Sequence, residues 1–232
     1  MGRMILLICC VVLIGLLAGS SRGEDLCELD IRIIRSLFKD RLNEDGFPYE
    51  LKHVEWHEGS FRGEGAREAL VSFYDGGQCH AAGYSELWLL RSEGGWRLDE
   101  KIADADTVEY ELLDVEGDGK LEAWIRAGGG NQGYFTYLGQ LVTFGPSSYS
   151  VLYSNAGEDN TGAIVREGLI LHSHEMGFWD IDGDGILEIL DREERKTAHL
   201  EGCNREVSSY SKRSIYKLID GEFKEAEFRA LD

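Results

Sequence analysis

Two nine-residue segments share one arrangement of oxygen donors. Residues 114–122 read DVEGDGKLE and residues 180–188 read DIDGDGILE. Each places carboxylates at relative positions 1, 3, 5 and 9: Asp114, Glu116, Asp118 and Glu122, then Asp180, Asp182, Asp184 and Glu188. Glycine holds positions 4 and 6 of both. Four carboxylates in so short a loop repel one another unless a cation neutralises them. Ca2+ suits the set, because it takes about six to eight oxygens, backbone carbonyls included. The carbonyls of Lys120 and Ile186, at position 7, are the expected backbone ligands, giving up to two Ca2+ sites. Mg2+ prefers fewer carboxylates and keeps its waters. The loops carry no thiolate or imidazole, which argues against zinc and copper.

A third segment, SFRGEGARE at 60–68, keeps Gly63, Gly65, Glu64 and Glu68. Ser60 and Arg62 replace the acids at positions 1 and 3, so this turn is expected to keep the shape and lose the ion. An EF-hand is the competing reading of the last loop, since Asp191 falls at position 12. That motif needs flanking helices, whereas Val108, Tyr110 and Leu112 alternate before the 114–122 loop and Leu121, Ala123 and Ile125 after it. Strand–loop–strand is the expectation.

Other chemistry-bearing residues carry less. His172 and His174 share a strand face beside Glu175, and read first as solvated strand histidines rather than a second metal site. Cys79-His80 is a poor thiol–base pair, because neighbours on a strand point to opposite faces. The run 128–133, GGGNQG, formally matches a dinucleotide fingerprint, but Tyr134 to Leu138 reads as a strand where a helix is required. It reads instead as a glycine loop beside aromatics. Arg192 to Lys196 mixes signs and reads as a charged exposed loop. Trp56, Trp88, Trp96, Trp124 and Trp179 read first as core and second as sugar-stacking platforms.

The elements around these residues are mostly short and alternating. Strands are expected at 69–74, 86–91, 96–102, 108–113, 121–126, 134–144, 149–153, 169–174, 186–190, 214–219 and 223–228, with glycine-rich turns between many of them. Asp25 to Leu42 reads as one amphipathic helix, stopped at Asn43-Glu44-Asp45-Gly46. The fold class is therefore all-β with an N-terminal helix.

The loops resemble the FG-GAP or VCBS-type repeats of integrin α-chain β-propellers and of many exported bacterial proteins. The resemblance covers roughly residues 60–230. It implies a β-propeller-like fold of about three four-stranded blades, with units near 60–113, 114–179 and 180–232 and calcium in the loops joining one blade to the next. A closed propeller typically has at least four blades, so an open stack capped by the helix is expected. The implied function is a non-enzymatic interaction or adhesion module with structural Ca2+. Its partner would be an unidentified protein or glycan; a carbohydrate-active or carbohydrate-binding accessory protein is the alternative.

Composition agrees with this reading. Lys+Arg number 24 against 43 Asp+Glu, a net charge of −19, which argues against nucleic acid or an anionic membrane face as partner. Ile5 to Ala18 is an apolar run behind Arg3, too short for the ~20 residues of a spanning helix but suited to a signal-peptide core. Residues 1–23 are thus expected to be removed on export to a periplasmic or extracellular space, with no membrane span left. Residues 24–46 then form the helical segment and 47–232 the β-repeat domain. Loss of Arg3 and Arg22 without any acid moves the charge from −19 to −21. Cys27, Cys79 and Cys203 remain, enough for one internal disulfide whose pairing is open.

Overall fold

The computed structural model describes residues 28–63, 65–77, 84–160, 169–201 and 204–226. The expected signal segment, the three mature cysteines, the Cys79-His80 pair and Glu64 lie outside the described residues.

One helix, α1 (Ile31–Phe38), precedes β1 (Leu51–Gly59), β2 (Glu68–Asp75), β3 (Tyr84–Ser92), β4 (Trp96–Ala105), β5 (Thr107–Leu113) and β6 (Glu122–Asn131). There follow β7 (Tyr134–Phe144), β8 (Tyr149–Asp159), β9 (Leu169–Trp179), β10 (Glu188–Glu201), β11 (Asn204–Ile219) and β12 (Glu222–Ala226). Among the described residues the fold is all-β apart from α1. Its strands form two antiparallel sheets, β1 to β4 and β5 to β12, each running in sequence order and neither closed. Among the described residues the larger sheet is narrowest between β8 and β9, where Glu158–His172 and Asp159–Leu171 pair.

Strand alternation sorts the apolar residues into layers. On β2, Ala69, Val71 and Phe73 face α1 together with Leu90 and Trp96, and Ile34 and Phe38 close that cluster. Phe38 meets Tyr49, Phe73 and Trp88 edge-on at 5.1, 4.9 and 5.5 Å. The opposite face of this sheet, with Leu70, Leu87, Leu89 and Ile102, packs on Ala123, Ile125, Val142 and Phe144. Trp124 and Leu141 point the other way, toward Ile189, Phe178 and Tyr216. The helix α1 thus covers one face of the four-stranded sheet, and the eight-stranded sheet packs on its other face.

Several expectations shift. The helix is shorter than 25–42: Asp30 accepts the amides of Arg32 (2.7 Å) and Ile33 (3.0 Å), an N-cap that starts it there. Past Lys39 the chain turns so that Asn43 reaches Asp75 at 2.9 Å. The glycine run 128–130 is not a loop but part of β6, paired with Tyr137, Thr136 and Phe135. Arg192 to Lys196 is not a loop either; it lies inside β10, paired on both sides. No helix among the described residues is long and apolar enough to cross a membrane.

Candidate metal centre

The acidic loops close hairpins. β5 pairs with β6 up to Leu113–Glu122, and β9 with β10 up to Trp179–Glu188, so each loop joins neighbours within one sheet rather than one blade to the next. The 60–67 turn closes β1–β2 in the same way, up to Gly59–Glu68. Strands flank both acidic loops, which removes the EF-hand reading; Asp191 sits in β10 and bonds elsewhere.

One local design builds all three turns. Positions 4 and 6 adopt positive φ: Gly63 and Gly65, Gly117 and Gly119, Gly183 and Gly185. This region suits glycine because it has no Cβ. The position-9 glutamate then turns back to accept the position-2 amide. Glu68 takes Phe61 at 3.1 Å, Glu122 takes Val115 at 3.1 Å, and Glu188 takes Ile181 at 2.7 Å. All three glutamates are buried, and for Glu122 burial pushes the carboxyl pKa up.

The turns also lie in a row. Leu121 N donates to Ser60 O (3.2 Å) and Leu187 N donates to Val115 O (2.8 Å). A Cβ on Gly117 would stand 2.8 Å from the Gly185 carbonyl oxygen.

The carboxylates converge best in the last loop. Donor oxygens of Asp180, Asp182 and Glu188 lie within 4.8 Å of one another. Asp180 is braced by the amides of Gly183 (2.7 Å) and Gly185 (3.2 Å). Asp184 stands outside the trio, accepting Ile186 N at 2.9 Å. The Lys217 ammonium on β11 bonds Asp182 and lies 3.4 Å from Glu188. That hydrogen bond holds the Asp182 carboxyl below its usual range. The three carboxylates are oxygen donors of the class a hard cation such as Ca2+ takes, and Lys217 would have to give way to it.

In the 114–122 loop Asp114 accepts Asp118 N and Gly119 N, both at 3.0 Å, and Asp118 accepts Lys120 N at 2.9 Å. Glu116 is exposed, and this loop's acids form no such trio among the described residues. In the 60–68 turn the charge at position 3 is internal. Arg62, its side chain 5% exposed, bonds Asp99 and lies 3.5 Å from Glu100 and 3.9 Å from Glu68. The guanidinium thus reaches two acids of β4 as well as the turn's own Glu68.

The histidines are better placed than their neighbours in sequence suggest. Glu175 faces Arg192 at 3.5 Å, while Glu193 and Asp191 of β10 approach the rings of His172 and His174. Counting outward from the closing pair Trp179–Glu188 puts Glu193 opposite His174; that register was the available signal. Lys217 had none. Among the tryptophans, Trp96 is buried and Trp56, Trp88 and Trp124 pack against cores, but Trp179 is 63% exposed. The glycan reading is left with one exposed indole, in a groove of about 1000 Å³ with Leu190, Arg192 and Ile215. Comparison with protein-family models, with curated proteins and with solved structures gives no match to this chain.

Proposed function

We propose that this chain is an exported, calcium-stabilised β-repeat protein. Three four-stranded meanders, β1–β4, β5–β8 and β9–β12, stack like the blades of an incomplete propeller, as the FG-GAP/VCBS resemblance implies. Ca2+ binds the Asp180–Glu188 loop through Asp180, Asp182, Asp184, Glu188 and the Ile186 carbonyl. A second, weaker ion takes Asp114, Glu116, Asp118, Glu122 and the Lys120 carbonyl after the carboxylates rotate inward. The ion is structural, and the stack serves as a rigid interaction module for a protein or glycan partner. The carrying observation is the convergence of Asp180, Asp182 and Glu188 within 4.8 Å. The same glycine-and-glutamate turn, three times in register between first and second strands, supports the repeat reading.

Thermal unfolding in EGTA and in calcium tests it. With an extracellular-type Kd of about 0.1 mM and about 1 mM Ca2+, one site adds about 1.4 kcal/mol. For a chain of this size that raises Tm by about 3–6 °C per site. Asp182→Asn should remove most of the shift. No shift, with no Ca2+ retained in native mass spectrometry, would sink the assignment.

A further inference from the structure

We infer that His172, His174 and Glu193 form a second metal site, of a different chemical class, for a borderline divalent cation such as Zn2+. Ligating atoms of the three residues lie within 4.8 Å of one another. His172 Nε2 stands 3.0 Å from Glu193 Oε1, close to the roughly 3.3 Å edge of a tetrahedron built on ~2.0–2.1 Å bonds. Two imidazoles and a carboxylate make a three-ligand set that leaves a fourth position for water. Nitrogen donors select Zn2+ over Ca2+ or Mg2+, so this site and the acidic loops take different ions.

A second observation independent of the trio points the same way. His174 Nδ1 lies 2.9 and 2.8 Å from the two oxygens of Asp191, whose side chain is 5% exposed. A Nδ1–H donated to that carboxylate leaves the Nε2 lone pair free. This is the carboxylate–histidine arrangement that orients metal-bound imidazoles. Asp191 is itself fixed by the Tyr153 hydroxyl at 2.8 Å, and Tyr137 OH accepts the His174 amide at 2.6 Å. The nearby Lys212 ammonium is engaged by Glu225 at 2.7 Å. The His172 and Glu193 side chains are 25% and 28% exposed and His174 11%, so access is from the His172–Glu193 side.

The site lies where β9–β12 faces the β5–β8 layer, at the polar edge of the Leu141–Ile189 cluster. A bound ion would tie β9 to β10.

Titration of the full chain with Zn2+, and with Co2+ as a spectroscopic probe, is the test. It is run in millimolar Ca2+ so that the acidic loops are occupied. One equivalent of Zn2+ and an intense tetrahedral-type Co2+ spectrum are expected. His172→Ala and Glu193→Gln, both at the more open side of the site, should abolish that equivalent while the fold survives. Asp191→Asn should weaken binding about 10–100-fold. Asp182→Asn should leave the Zn2+ equivalent intact, which separates this proposal from the calcium reading. No stoichiometric binding, or binding unchanged in both His172→Ala and Glu193→Gln, overturns it.

Discussion

The fate of position 3 shows how one side chain decides what a turn does. Asp182 leaves its loop anionic and holds Lys217 at the surface, whereas Arg62 supplies the cation from within. Arg62 is nearly buried against Asp99, Glu100 and the fully buried Glu68. Removing one member of such a buried set leaves an uncompensated charge and costs about 3–5 kcal/mol. Urea unfolding of Arg62→Ala should show a loss of that size, equal in EGTA and in calcium; a calcium-dependent loss would contradict the internal-cation account. Glu86 makes a pH prediction. Its carboxylate accepts Trp88 Nε1 at 2.6 Å and the Tyr49 hydroxyl at 3.2 Å, and burial pushes its pKa up despite these donors and Lys101. The folded state therefore holds this proton more tightly than the unfolded chain does. Its stability cost is present above the folded pKa and disappears as pH falls toward the ordinary value of 4.5. Glu86→Gln should raise Tm at pH 8, and the gap should close in melts near pH 4.5. A gap that stays constant with pH would refute this.

At the scale of elements, alternation made most strands legible, and failures have local causes. β1 was unread because His53 adopts φ +51° and the register slips between Lys52 and Glu55. That bulge spaces Leu51, Val54 and Trp56 by three and then two residues, which erases a period of two. The charged stretch of β10 looked like a loop because no apolar residue marks its faces; paired strands on both sides make it a strand. The acidic loops are legible because their carboxylates are contiguous in sequence. The His172–His174–Glu193 cluster was half legible, because its carboxylate comes from across a hairpin. The glycines of β6 suggest a loop in sequence, but they sit in a strand where the space beside them is filled. A Cβ on Gly128 would stand 2.7 Å from Thr136 O, and 2.9 Å from the Phe135 ring and from Tyr137 Cβ. Gly128→Val should therefore overpack the β6–β7 pair and cost about 1–3 kcal/mol in chemical unfolding; a neutral substitution would mean that the strands separate there without penalty.

Across the whole molecule, the layers are not equally well held. The interface of β1–β4 with β5–β8 buries nine apolar side chains, and α1 seals the outer face of β1–β4 with Ile34 and Phe38. Among the described residues, the cluster between β5–β8 and β9–β12 fully buries Val115, Leu141 and Ile189, then gives way to the His174–Asp191–Tyr153 polar network. The outer face of β9–β12 has no counterpart of α1 among the described residues, and Trp179 and Ile181 stand exposed there. Among the described residues, two register pairs and the Asn160–Ile170 hydrogen bond join β8 to β9. Regions with few buried apolar contacts open at lower free energy than the global transition. Hydrogen exchange read by mass spectrometry should thus find β9–β12 exchanging first and β2–β3 last. Calcium should slow exchange at residues 180–190 and, through the Leu187–Val115 hydrogen bond, at 113–116. Metal at the histidine cluster would instead slow residues 170–176 and 191–195, so the two ions leave separate footprints. Uniform exchange across all three meanders would show that the stack unfolds as a single unit.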